Sequence, residues 1–236
     1  MQLFLHTALE ANDRDLLFGP EESKHLIKVL RHKSGDRITI GNTRGLEAVA
    51  TIIDDNPKAC SVQIDHSIEH PKPEHHIHVA IAPTKQMERL EWFVEKATEL
   101  GISRITPIIC DHSERKRLRL DRLEKRRNAA LKQSLSFYGV DIDAVCPMEE
   151  FLNRDFSNTD RYIAYCDDDI QHHLATVSKS HQCSVVLIGP EGDFSHKEIQ
   201  QAIAREFTPI TLGDRRLRTE TAGIAAVQIL GLKSMI

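Results

Sequence analysis

The sequence predicts an α/β domain built on a mostly parallel sheet, preceded by a smaller, mostly β, barrel-like domain. Three observations carry this. Beyond residue 76, apolar runs of strand length alternate five times with stretches of helical period, the rhythm of βα units. One run, SVVLIG at 184–189, is continuously apolar, as a strand covered on both faces must be. Before residue 70, short alternating strands separated by turn signals dominate instead.

Taken in order, LFLH (3–6) and DLLF (15–18) are short apolar runs. PEESKHLIKVLR follows, with Pro20 placed to start a helix and Leu26, Val29 and Leu30 on one face. DRITI (36–40) alternates, the pair GN at 41–42 and the following TRG mark turns, and LEAVATII and ACSVQID (59–65) are further strands. This defines a first domain over 1–70. HPKPEHH (70–76) has two prolines, charge and no periodicity, so 71–76 is expected to be a linker and 77–236 the α/β domain.

In the second domain IHVAIAP is a strand. MERLEWFVEKATELG is a helix with Leu90, Phe93, Ala97 and Leu100 on one face, ended by Gly101. ITPIIC is a strand and LDRLEKRRNAALKQSLSF a basic amphipathic helix. RYIAYC is a strand, with a short helix expected near 170–178. After SVVLIG, the pattern Ser195-x-x-Glu198 is a capping box that opens a helix. PITLG is the last strand, and the last helix starts near Thr219, where Thr219 or Thr221 is expected to cap it.

Composition narrows the class. The 236 residues carry a formal charge of −4, with 40% hydrophobic and 28% charged residues, as expected of a globular protein. Charge is uneven, however. Residues 112–133 hold nine Lys/Arg against three Asp/Glu, whereas 141–193 hold eleven acids against three bases. The basic stretch fits either a solvated helix face or a footprint on a phosphate backbone. Five widely spaced cysteines without a C-x-x-C suggest free thiols in a reducing compartment. With no signal-peptide pattern and no apolar run near the roughly 20 residues a membrane span needs, a cytoplasmic protein is expected. The histidines at 70, 75, 76 and 78 fall on the linker and first strand without a zinc-type spacing, so no metal is expected.

Ligands of open parallel sheets bind beyond the carboxyl ends of the strands. Two such ends carry unusual loops, GPEGDF after VVLI and GDRRLRTE after ITL, which are expected side by side. Gly189, Gly192 and Gly213 would let a ligand approach the backbone closely, although a simple Gly-Pro turn also accounts for one loop alone. No P-loop, no G-x-G-x-x-G after a strand and no G-x-S-x-G elbow is present.

Those two loops, LIGPEGDFSHKEI and LGDRRLRTETAGIAA, resemble the SPOUT superfamily of methyltransferases. More narrowly, the chain resembles the bacterial family that methylates N3 of a specific uridine in 16S ribosomal RNA of the small subunit. HLIKVLR (25–31) and KQMERLEWFVEKATELGISRITPIICDHSERK (85–116) extend the likeness over almost the whole chain. The resemblance implies an N-terminal PUA-like β-barrel and a C-terminal SPOUT parallel-sheet domain with a trefoil knot. It also implies S-adenosylmethionine as cofactor, released as S-adenosylhomocysteine, and a homodimer. Carried over by position, the cofactor would be held by Leu187, Ile188, Gly189, Pro190, Glu191, Gly192, Leu212, Gly213, Leu217, Arg218, Thr219, Thr221 and Ala222. RNA would be met by His25, Arg31, Lys85, Arg115, Lys116 and Arg117. Two departures stand out. Asp193 replaces the second glycine that relatives place after GPEG, and Lys132 and Leu135 flank Gln133–Ser134 where relatives carry other residues.

Arg218 and Glu220 are the catalytic candidates. Uracil N3 is a poor nucleophile until its proton leaves, and the resulting anion spreads over O2 and O4. A guanidinium beside those oxygens would stabilise it, the role expected of Arg218. Glu220 would accept the proton or orient Arg218, or would simply favour the first turn of the helix. Two other readings remain at this level: another SPOUT activity such as ribose 2′-O-methylation, and a non-catalytic RNA-binding module.

Overall fold

The computed structural model describes residues 2–167, 170, 172–178 and 183–233. The chain divides into two compact units, Met1–Lys72 with Leu131–Gly139, and Pro73–Ala130 with Val140–Ile236.

The first unit is a five-stranded sheet in the order β1-β3-β4-β5-β2. Its strands are β1 (Leu3–Leu5), β2 (Asp15–Leu17), β3 (Arg37–Gly41), β4 (Leu46–Asp54) and β5 (Ser61–Glu69). In β4 every second residue from Leu46 to Ile52 is buried, so the period-2 pattern sets which face meets the core. That core joins Phe4, Leu9, Phe18, Leu26, Ile40 and Ile52. The expected helix at 20–31 is shorter and irregular. Pro20 does open α1 (Pro20–Lys24), but a π-helical turn over His25–Val29 follows, and Arg31 leaves with φ 64°. The segment 131–139 is bonded into this unit: Tyr138 Oη donates to the His70 carbonyl at 2.8 Å, and Phe137 stacks on the His70 ring at 4.4 Å.

The second unit is a parallel sheet in the order β12-β10-β11-β6-β7-β8, with β9 pairing β7. The five expected strands are β6 (His76–Ile81), β7 (Arg104–Ile109), β10 (Asp160–Ala164), β11 (Cys183–Ile188) and β12 (Thr208–Ile210). Two residue pairs too short to show a period, β8 (Asp141–Ile142) and β9 (Cys146–Pro147), were not visible in the sequence. Neither was α4 (Met148–Leu152). The other helices are α2 (Met87–Glu99), α3 (Leu120–Ser134), α5 (Leu174–Val177), α6 (His196–Ala204) and α7 (Thr219–Lys233). The helix expected near 170–178 is thus only α5 among the described residues; Gln171 lies outside them. α3 stops at Ser134 because Leu135 turns to φ 55°. β11 is buried from Ser184 to Ile188, as its continuous apolar run required.

A buried polar relay pins the β6–β7 side of the sheet. Thr106 Oγ1 donates to Asp143 Oδ2 at 2.6 Å and accepts from His78 Nε2 at 2.7 Å. Arg104 and Arg154 hold the same carboxylate at 2.9 and 2.8 Å. Burial alone would raise Asp143, but the bonds from Thr106, Arg104 and Arg154 outweigh it and hold the group at about 2. Burial pushes His78 down to about 3, assisted by Arg104.

Candidate active site

The carboxyl ends of β6, β7, β10, β11 and β12 supply five loops of the second unit. β10 lies between β11 and β12, so the two glycine loops do not leave neighbouring strands. They meet nonetheless. Thr219, the first residue of α7, donates its hydroxyl to the Gly189 carbonyl at 3.0 Å and is only 5% exposed. The hydroxyl expected to cap its own helix therefore joins it to the end of β11. Thr221, two residues on in the same turn, is exposed.

The GPEGD loop is held from three more sides. Glu191 Oε1 accepts the Lys85 N–H at 2.9 Å, fixing the loop after β6. His112, from the loop after β7, places Nδ1 3.0 Å from the Gly192 carbonyl and 2.9 Å from that of Asp193. Carbonyls only accept, so Nδ1 carries the proton. Asp193 adopts φ 61°, which an aspartate tolerates better than most side chains. Its Oδ1 accepts the Phe194 N–H at 2.8 Å and its Oδ2 the Cys166 N–H, after β10, at 2.9 Å. Asp193 thus combines a left-handed backbone with two anchors that a glycine there would lack.

The capping box of α6 reaches further than its own helix. Ser195 Oγ accepts from the Glu198 N–H at 3.3 Å, and Glu198 Oε2 accepts from the Ser195 N–H at 2.8 Å. The second Glu198 oxygen accepts the Asp111 N–H at 2.9 Å, and Ser195 Oγ donates to Asp111 Oδ2 at 2.6 Å. A local helix-start motif therefore fixes the loop after β7.

Two glycines have internal neighbours rather than the open approach expected for a ligand. A Cβ at Gly189 would lie 3.1 Å from the Phe194 ring, and one at Gly192 would lie 3.3 Å from His112 Cβ. Gly213 differs: its φ of 130° excludes other residues, and nothing lies within 4 Å of a Cβ there. Thr211 Oγ1 brackets it, donating to the Gly213 carbonyl at 3.0 Å and accepting its N–H at 3.2 Å.

The loops fit a nucleoside-bearing cofactor through their main chain. Leu187, Ile188, Gly189 and Pro190 are buried, and Leu212 is half-buried. Among the described residues, the N–H groups of Glu191, Gly192, Leu212 and 214–217 have no partner in the protein. Partnerless main-chain groups beside buried apolar residues suit an adenine edge and ribose hydroxyls. Leu217 is 38% exposed and Ala222 half-buried at the outer edge.

Arg218 is exposed and its guanidinium makes no bond or ion pair among the described residues, so it is free for a substrate. Glu220 points elsewhere. Its side chain is 9% exposed, Oε1 lies 3.8 Å from Arg89 Nε on α2, and Oε2 is buried with no hydrogen-bond partner among the described residues. Arg89 is a site-proximal cation that the sequence reading did not single out.

The basic cluster is partly neutralised. Lys85 pairs with Glu114 at 2.8 Å, and Arg115 donates to the Lys85 carbonyl at 2.7 Å. Lys116 and Arg117 stay exposed beside them, lining a cleft of about 520 Å³. On α3, Arg122 and Arg126 pair with Glu91 of α2 at 2.6 and 3.2 Å, so much of that helix's charge serves packing. In the first unit His25 is half-buried and Arg31 exposed. No helix among the described residues is long and apolar enough to cross a membrane, and no group of three or more His, Cys, Asp or Glu side chains there could hold a metal ion.

A β-rich first unit and a parallel α/β unit with loops converging on main-chain donors define a class: a two-domain protein with a candidate ligand site beyond the carboxyl edge of a parallel sheet. Comparison with known proteins makes this specific. The profile of an RNA methyltransferase domain matches residues 70–231, and that of an RNA methyltransferase PUA domain matches 18–65. The chain belongs to this RNA methyltransferase family. It is 36% identical to a probable rRNA-methyltransferase from Porphyromonas gingivalis, over 100% of this chain and 99% of that one, at a TM-score of 0.90. It is 25% identical to a ribosomal RNA small subunit methyltransferase E from Neisseria gonorrhoeae solved bound to S-adenosyl methionine, over 96% and 95% of the two chains, at a TM-score of 0.82. It is 26% identical to the ribosomal RNA small subunit methyltransferase E of Rickettsia conorii, over 96% of this chain and 93% of the relative.

Proposed function

We propose that the protein transfers a methyl group from S-adenosylmethionine to N3 of a specific uridine in 16S ribosomal RNA of the small subunit. The observation that carries this reading is the junction of the two glycine loops. Thr219 ties them at Gly189, partnerless main-chain groups line them, and Arg218 stands free at their edge.

The cofactor, when bound, supplies an electrophilic methyl on a sulfonium. Glu191, Gly192 and Leu212 would hold it through their free N–H groups, with Gly213 leaving room beside them, while Leu187, Ile188, Gly189 and Pro190 would exclude water behind it. Leu217, Thr221 and Ala222 border the opening. Orientation of the two reactants supplies much of the rate. As the N3 proton passes to solvent water at the exposed rim, charge develops on O2 and O4 of the uracil, and the Arg218 guanidinium stabilises it there. Glu220 acts from behind, as the counter-charge that holds Arg89 beside the first turn of α7.

Lys116 and Arg117 contact RNA phosphate in this reading. Arg115 and Lys85 shape that cleft, and His25 and Arg31 are the contacts on the PUA unit. The trefoil knot, a homodimer and a cytoplasmic location belong to the same reading. α7 supports the homodimer: its small and apolar residues extend all round it, leaving Ile224, Ala225 and Ile229 half-buried and Leu232 exposed.

Arg218→Ala tests the proposal. Calorimetry with S-adenosylmethionine is expected to show binding retained, while tritium transfer to 30S particles falls about 100-fold or more, the cost of one preorganised charge-stabilising donor. Full transfer in the variant, or 2′-O-methyluridine rather than 3-methyluridine in the product nucleosides, would defeat it.

A further inference from the structure

We propose that Asp193 is a positioning residue for the methyl donor: its carboxylate pins the main chain following β10 against the β11 loop, and donor affinity depends on that pin. The proposal rests on the donor site described above.

Two short bonds carry it. The two carboxylate oxygens of Asp193 take separate N–H groups, Phe194 at 2.8 Å within its own loop and Cys166 at 2.9 Å across to the end of β10. The rest of the residue is equally tied: its N–H donates to the Pro190 carbonyl at 2.9 Å, and its own carbonyl faces His112 Nδ1 at 2.9 Å. Because β10 lies between β11 and β12, the chain leaving it at 165–167 emerges between the strands that feed the two glycine loops. Burial raises the Cys166 thiol, the Asp193 charge raises it further and Arg216 pulls the other way, so both loops lie within Coulombic reach of Cys166.

A carboxylate does here what no glycine can. Glycine adopts φ 61° without strain but leaves the Cys166 and Phe194 N–H groups unpaired. Asp193→Gly is therefore a clean perturbation, because the backbone conformation survives and only the pin is lost. Asp193→Asn keeps one acceptor oxygen and a residue type that tolerates the left-handed region, so it restores part of the effect.

The test uses the full chain. S-adenosylhomocysteine affinity is measured by calorimetry, and alkylation of Cys166 by iodoacetamide is followed by peptide mass spectrometry. Cys166 is the one exposed cysteine of the five, so it reports on the pinned segment directly. Asp193→Gly is expected to bind about tenfold more weakly, with Asp193→Asn between it and the wild type, on the scale of one charge-assisted hydrogen bond. Cys166 is expected to react several-fold faster in Asp193→Gly than in Asp193→Asn, which loses the same charge but keeps an acceptor, and the melting temperature of Asp193→Gly is expected to fall by a few °C as its lost bonds require. Wild-type binding with equal affinity in Asp193→Gly overturns the pin alone. No binding by the wild type overturns the donor site, and this inference with it.

Discussion

Thr219→Val removes one oxygen from the molecule and little else. Valine matches threonine in shape and in helix propensity, so α7 itself is unaffected. What is lost is the 3.0 Å bond to Gly189, and no other group among the described residues donates to that carbonyl. Thr219 is 5% exposed and Gly189 is buried, so water does not readily replace the hydroxyl. A buried acceptor left unsatisfied costs about 1–3 kcal/mol. For a chain of this size each kcal/mol lowers the melting temperature by about 2–4 °C. The variant is therefore expected to melt roughly 2–12 °C lower. It should also bind S-adenosylhomocysteine more weakly, because the bond sets the spacing of the two cofactor loops. Thr219→Ser keeps the hydroxyl and should retain affinity. Thermal unfolding by circular dichroism, with and without S-adenosylhomocysteine, reads both effects. Wild-type stability and affinity in Thr219→Val would refute the claim that this bond joins the loops.

Gly189→Ala is expected to destabilise by about 1–3 kcal/mol, since the new methyl would press on the Phe194 ring at 3.1 Å and force it to move; an unchanged urea midpoint would show that the ring yields freely. Acid stability should fall in two windows. His78 is depressed to about 3 from an ordinary value of 6.5, so the unfolded chain binds the proton first and stability present above pH 6.5 drains away as pH falls toward 3. Asp143, held at about 2 against an ordinary 3.8, adds a second loss from about pH 4 downward. Urea titrations between pH 7 and 4 should lose most of their pH dependence in His78→Gln; an unaltered slope would place the first window on another group.

Much of this fold could be read from the sequence where burial imposes a period. β11, β4 and α2 were visible because their buried faces repeat every residue, every second residue and every 3.6 residues. β8 and β9 were not, because two residues carry no period. The break of the helix at His25 was hidden too: its apolar positions fit a continuous α-helix, and the sequence has no signal for a π turn. The candidate site was legible as two loops but not in its wiring. The capping box at Ser195 and Glu198 was read from spacing, yet the bonds to Asp111 join residues more than eighty positions apart. The approach of Glu220 to Arg89 at 3.8 Å was hidden as well, because it joins two helices far apart in the chain.

The motif letters and the groups that face a ligand are different things in this protein. Thr219, Glu191, His112 and Asp193 each bond main chain from a different loop. Arg115 and Glu198 extend the same scheme to the rim. Side chains thus act as crossbeams, and the surface they hold in place is peptide. Such a surface tolerates many side chains at the ligand but few at the crossbeams. Asp193 shows the scheme in one residue: the position takes a left-handed backbone, and aspartate supplies that while adding a bond to a third strand end. Arg218 takes no part in that scheme: it is exposed and bonds no other group among the described residues, which leaves its guanidinium available for the role proposed for it.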